Sequence, residues 1–360
     1  MKRYPSRFSF PRGVLSALVL ICTLALISPS GCKKPTEPSD RDQDTTSHNF
    51  SFEVFEIGDS GVLYDVAIVE TDSGSMAYAV GELFLRDSST GELDPKRYNF
   101  AVWDGTDWEV ERVNVQFRGS VIEPVLEGIF AFSETDIWLV GSLPIYGDGL
   151  SWTMYDLRTT LDPNLSLSKV WGSSSDEMYF VGRSGSMARY SQGIWQKLES
   201  GTTTHINDVF GVTNPETGNE EVYCAVTDFF EPKDRKILRV TNGTSVDSVK
   251  WDTGSNVYTV WTETGLPLFV GGGGLWENST GAWQRIDLGI NSAIGTIRGN
   301  GLNDIVVVGA FGLIAHFNGM SWHVFSQVFN AAYSSVSMKG DVLIAVGQRD
   351  GKAIATIGKR

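Results

Sequence analysis

Two stretches of this chain repeat each other. Gly299 to Trp322, GNGLNDIVVVGAFGLIAHFNGMSW, and Gly172 to Trp195, GSSSDEMYFVGRSGSMARYSQGIW, share one order of features. Each runs Gly, a polar turn with Asp, a short apolar run ending Val-Gly, a Gly turn, a second short strand, then Trp. Self-similarity of this kind means that each unit is one supersecondary structure, able to bury its apolar face only against its neighbours. The Val-Gly marker recurs at Val80-Gly81, Val140-Gly141, Val181-Gly182, Val270-Gly271, Val308-Gly309 and Val346-Gly347, with Val226-Thr227 filling the gap. The steps are 60, 41, 45, 44, 38 and 38 residues. Seven units, most near the length of a four-stranded blade, predict an all-β, seven-bladed β-propeller over residues 50–360.

Other columns agree. A strand precedes each marker (Tyr64 to Ile68, Gly128 to Phe132, Ser168 to Gly172, Asn207 to Gly211, Tyr258 to Thr262, Gly295 to Gly299, Ser334 to Met338). A Gly turn leads into an aromatic fourth strand at Trp108, Trp195, Trp283 and Trp322, with Val246 in the fourth blade. After Val346-Gly347 only one more strand, Ala353 to Gly358, remains, so the last blade needs an outer strand. The lone alternating segment Phe50 to Ile57 can supply it and close the ring, removing exposed edges. The long first step reflects a polar insertion, Glu82 to Lys96.

The chain begins differently. Lys2, Arg3, Arg7 and Arg12 precede an apolar run, Val14 to Ser28, and then Ser30, Gly31 and Cys32. The apolar run is shorter than the ~20 residues a spanning helix needs, so residues 1–31 are expected to be an export signal. The segment Pro29 to Cys32 resembles the end of a bacterial lipoprotein signal, which implies lipidation of Cys32 and an anchor in the envelope, at the outer membrane or cell surface. Cys22 would leave with the signal and Cys32 would carry lipid, so Cys224 stands alone and no disulfide framework is expected. Residues 32–49, rich in Pro, Ser, Thr and Asp, have the composition of a disordered tether. Removing 1–31 shifts the net charge from −14 to −18, which argues against nucleic acid as a partner.

The repeats also provide an internal control: a residue recurring blade after blade serves the blade. Asp136, Asp176, Asp304 and Asp341 fall in the turn before the marker strand and are expected to cap turns, with no metal site. His316 falls opposite Arg189 as a third-strand side chain. Gly271 to Gly274 lacks the following helix and the Lys of a phosphate loop, so a tight turn is expected and no cofactor.

The G-S-x-x-D-x-W/Y-x-V-G-x-x-G motif with N-G-x-x-W resembles a group of bacterial lipoprotein β-propellers, some labelled glucosyl transferase. More distantly it is similar to Ycf48-type propellers, which are implicated in photosystem assembly, and to sialidase-like propellers. The motifs of the resemblance specify blades; propeller and signal together predict a monomeric, lipid-anchored envelope module that binds or scaffolds protein or glycan. Residues that break the repeat near one mouth of the channel are the candidate ligand contacts: Arg118, Arg183, Asp228, Arg235, Phe311 and Arg349. Arginine there would suit a carboxylate through its planar fork. The alternative is a glycan-active enzyme, with Asp228 or Glu231 as acid or base and Trp152 or Trp276 as a sugar platform.

Overall fold

The computed structural model describes residues 45–72, 74–214, 218–228, 234–325 and 331–360. The export signal, Cys32, most of the tether and Glu231 lie outside the described residues. Seven four-stranded antiparallel sheets make up the body. Their innermost strands are Ser60–Thr71, Gly128–Ser133, Leu167–Ser174, Ile206–Thr213, Val257–Trp261, Ile294–Gly301 and Ala332–Lys339, for blades one to seven. Each packs against the next, and the seventh against the first, so the ring is closed around a central channel.

Blade seven is built from both ends of this fold. Its strands Val342–Arg349 and Lys352–Lys359 are completed on the outside by Ser51–Ile57, which pairs antiparallel from Ser51 against Lys359 to Ile57 against Ala353. The closure expected from the lone alternating strand is therefore the observed one. A small hairpin, Val115–Phe117 with Ser120–Ile122, and a short helix, Leu157–Thr160, decorate the connections either side of blade two.

The marker strands are second in every blade and almost wholly buried, as in Met178 to Gly182 and Ile305 to Gly309. Their apolar side chains meet those of the adjoining blade, giving one cluster at each blade interface. The Gly of the marker has a different cause. Its backbone is extended (φ 178° at Gly182, −178° at Gly309), so conformational freedom is not at issue. A Cβ there would lie 2.3 Å from Ser166 O in blade three, 2.0 Å from Ala293 O in blade six and 2.0 Å from Ala332 O in blade seven at Gly347. In these blades the second strand passes too close to the start of its own inner strand for any side chain, whereas blade four accommodates Val226 opposite Ile206. Gly272, in the GGGG stretch, meets Asn256 O at 2.0 Å for the same reason.

The turn before the outer Trp is also one device repeated. Asp104 accepts from the amides of Thr106 (2.8 Å) and Asp107 (2.9 Å), Asp148 from those of Leu150 and Ser151, and Asn318 from those of Met320 and Ser321. These bonds bring the Asp104 carboxyl down to about 2. Trp152 is thus blade two's copy of the outer-strand Trp, edge-on to Phe100 at 5.6 Å, and serves packing. Trp276 sits on the third strand of blade five against Trp251, 5.9 Å away. Neither lines the mouth described below, so the sugar-platform expectation is not met by these two residues.

Candidate functional site at the channel mouth

Six of the inner strands carry a bulge near their start, at Tyr64, Ser168, Asn207, Tyr258, Gly295 and Ser334. A bulge adds one unpaired residue and re-aims the side chains beside it. The bulged residues surround the upper mouth of the channel, together with Glu82, Glu127, Arg183 and His205, and enclose a cavity of about 700 Å³. The loops after the second strands and those joining consecutive blades form its rim.

The next residues along, Asp65, Lys169, Asp208, Thr259, Thr296 and Ser335, form a polar belt that ties blades together. Asp65 accepts from Ser335 Oγ of blade seven (2.6 Å) and Ile129 N of blade two (3.3 Å). Asp208 accepts from Thr259 Oγ1 (2.6 Å) and Val260 N (3.2 Å) of blade five. Thr259 Oγ1 in turn accepts from Ile297 N of blade six, and Thr296 donates to Ser334 O of blade seven. Two ion pairs cross the channel at this level. Lys169 Nζ of blade three lies 2.9 Å from Asp65 Oδ2, and Arg298 of blade six forks onto Asp208 at 2.8 and 3.1 Å. Burial opposes the charge of Arg298, but Asp208 outweighs it and holds its pKa above the ordinary value.

Beneath the belt the wall changes. Phe130, Trp171, Phe210 and Trp261 occupy one register position in blades two to five, with ring centroids 6.1 Å apart from Trp171 to Phe210 and 6.2 Å from Phe210 to Trp261. The same position holds Arg298, Ser337 and Ala67 in blades six, seven and one. Arg298 therefore leaves the floor to join the belt, stacking over Phe210 at 5.4 Å.

No protein-family model matches this chain, and no curated protein sequence matches it. Solved structures do. "YCF48 bound to D1 peptide" superposes with a TM-score of 0.63 at 14% identity, covering 88% of this chain and 99% of that one. "YCF48 from Cyanidioschyzon merolae" gives 0.58 at 14%, over 84% and 98%. The WD40 β-propeller domain of Doa1 gives 0.60 at 14%, over 87% and 98%. The chain is a β-propeller. At such identities the likeness speaks for the fold alone.

On this propeller, Arg183 alone of the six candidate contacts lines the cavity. Its fork is occupied by Glu127, at 3.0 and 2.9 Å. Arg118 holds Asp156 at 2.7 Å, Arg235 reaches Gly254 O and Arg349 holds Glu56 at 3.1 Å. Asp228 follows the second strand of blade four, where its charge acts on His205. Phe311 is 81% exposed at the tip of the turn after the second strand of blade six. From the insertion, Glu82 belongs to the cavity, accepting from Tyr64 Oη at 3.1 Å and from Arg97 at 2.9 Å.

Sequence reasoning passed over the residues that do line the mouth. Tyr64, Ser168, Asn207, Tyr258, Gly295 and Ser334 head the inner-strand column, whose repeat is carried by the apolar members further along. The signal was present: the head of the column changes chemistry from blade to blade while its middle stays apolar. Burial, then Glu82, pushes the Tyr64 hydroxyl up to about 12. Burial also lowers His205, helped by Arg183 and Lys169 and opposed by Asp228. Both groups are therefore uncharged hydrogen-bonding partners near neutral pH. Asn207 donates to Thr227 O at 2.7 Å, while its Oδ1 has no partner among the described residues.

Proposed function

We propose that this protein is an exported, lipid-anchored binding module of the bacterial envelope that takes an extended, uncharged segment of a partner protein into the upper mouth of its channel. The observation that carries this reading is charge pairing within the mouth. Lys169, Arg183 and Arg298 are each held by a carboxylate, and each carboxylate of the lining is held by a cation. What remains is neutral: the hydroxyls of Tyr64, Tyr258, Ser168 and Ser334, the amide of Asn207 and the ring of His205. Such groups satisfy peptide N–H and C=O, and rigid aromatic phenols supply contact area at low entropic cost. One of the superposed propellers is described as bound to a peptide, which supports the same use here. A free arginine fork for a carboxylate is not part of the proposal, since Arg183 is already engaged by Glu127.

The basic start, the short apolar run and Ser30-Gly31-Cys32 support export and lipidation. Labelling with palmitate that is lost in Cys32→Ala is the expected result, and labelling that persists overturns the anchor.

Binding is tested by affinity capture from envelope extract with the parent and with Tyr64→Ala/Tyr258→Ala, melting curves being matched first. A partner retained by the parent and lost by the variant is expected. Equal retention by both places recognition elsewhere, and capture of glycan in place of protein overturns the choice of ligand.

A further inference from the structure

Three of the four histidines of this chain meet on blade six. His316 and His323 stand directly opposite each other on its third and fourth strands, so both side chains lie on one face of the sheet. His48 comes from the segment ahead of the closing strand and lies beside that pair, its ring centroid 4.9 Å from that of His316 and 5.3 Å from that of His323. The segment is also held there by Thr46, whose N donates to Asn318 O at 3.2 Å and whose Oγ1 donates to Asn303 O at 2.7 Å. Within the repeat His316 is only the counterpart of Arg189, so the grouping is invisible until the chain folds.

The hydrogen bonds leave a ring lone pair aimed into the cluster. Buried Asp304 faces His316 Nε2 at 2.7 Å. Its carboxylate also accepts from Arg360 at 2.8 and 2.6 Å and from Asn300 at 2.7 Å, so it is ionised and only accepts. His316 therefore carries its proton on Nε2 and presents the lone pair of Nδ1. That atom faces His48 Nδ1 at 2.8 Å, while His48 Nε2 has Ser321 Oγ as its partner at 3.4 Å. A carboxylate on the far nitrogen is the arrangement that fixes the tautomer of a metal-binding histidine and raises its basicity.

The dimensions suit a single ion. Zn–N bonds of about 2.0–2.1 Å at tetrahedral angles put ligand nitrogens about 3.3 Å apart and ring centroids about 5.2 Å apart. Both centroid distances agree with this, and the two Nδ1 atoms need to part by only about half an ångström. As placed, these two nitrogens converge; His323 is exposed and adds a third by turning its ring about the side-chain torsions. The charge is favourable too. Asp304 and Asp341 share the one guanidinium of Arg360, which leaves a net negative charge beside neutral rings. Imidazole donors select zinc, nickel or copper over calcium and magnesium, which take oxygen.

We propose that His48, His316 and His323 form a site for a divalent transition-metal ion of the zinc class, with the fourth position left to water. The ion clasps residues 45–49 to blade six, next to the seam where the ring is closed. Binding to the folded chain then stabilises the docked arm by mass action.

The probe is Zn²⁺ alone. Calorimetric titration of the full chain at pH 7.5 is expected to show one ion bound, and the Thr46 amide is expected to gain hydrogen-exchange protection on loading. His48→Gln and His323→Gln, neither of them in the core, are compared after their metal-free melting curves have been matched to the parent. Each is expected to weaken binding by about ten-fold or more, the scale on which even outer partners of a metal site act. Co²⁺ in place of Zn²⁺ is expected to give the intense visible bands of a tetrahedral ion. Absence of binding, or equal binding by the parent and His48→Gln, overturns the site and leaves the His48–His316 contact a hydrogen bond only. Full binding by His323→Gln, or the weak bands of octahedral Co²⁺, overturns the three-histidine assignment.

Discussion

Arg298 on blade six reaches past blade five to hold Asp208 on blade four, Nη2 to Oδ1 at 2.8 Å and Nη1 to Oδ2 at 3.1 Å. Asp208 is buried and also serves Thr259 Oγ1 and the amides of Val209 and Val260. Removing the guanidinium therefore strands a buried carboxylate. Arg298→Met is expected to cost about 3–5 kcal/mol in urea denaturation. Adding Asp208→Asn keeps an acceptor but removes the charge, so the double variant should be more stable than Arg298→Met alone. A double variant that merely sums the two losses would show that the pair does not act as a unit.

Closure by the first strand makes a second expectation. Deleting residues 50–57 exposes the edge of Lys352–Lys359 and opens the ring at blade seven. Thermal unfolding should shift down by many degrees or lose its single cooperative step. An unchanged melting curve would mean that the pairing contributes nothing to stability.

The marker glycine is tested at Gly309. A methyl group there would stand 2.0 Å from Ala293 O, which is backbone and has little freedom to move. Gly309→Ala is expected to lose about 1–3 kcal/mol by overpacking, although alanine suits the extended backbone. Gly193→Ala is the informative contrast: it has open space but φ +85°, so any loss there comes from backbone strain alone.

Asp304 sets an acid limit. Burial would raise its carboxyl, but bonds from His316, Arg360 and Asn300 override this and hold it well below 3.8. A carboxyl depressed by folding contributes stability that is complete above its unfolded pKa and is lost as pH falls through the folded value. Asp304→Asn should therefore be less stable than the parent at pH 7, with the gap narrowing below about pH 4. A gap constant from pH 7 to pH 2 would contradict the assignment.

The architecture was legible because its signals repeat. Val-Gly recurs since in most blades the buried second strand crosses a backbone carbonyl too closely for a side chain, and the outer Trp recurs because most blades pack the same edge with it. The mouth was harder to read because it is made by positions that vary: Tyr64, Asn207 and Tyr258 become neighbours only when bulges on separate strands turn them inward. Asp304 illustrates the opposite error. Grouped with Asp136 and Asp176 as a turn cap, it is a buried acid that gathers His316, Arg360 and Asn300, because its partners include residues far along the chain, Arg360 56 positions away among them.

Blade seven also decides how this ring responds to force. A pull along the N-terminal chain meets Thr46 and His48 first, and only then reaches Ser51, whose partner is Lys359. Drawn outward, the closing strand peels from that end one pair at a time. Drawn along its own axis, it must break all seven pairs from Ser51 to Ile57 together. The seam that joins the ring is thus weak in one direction and strong in another, and the contacts of Thr46 and His48 with blade six stand ahead of it on the chain.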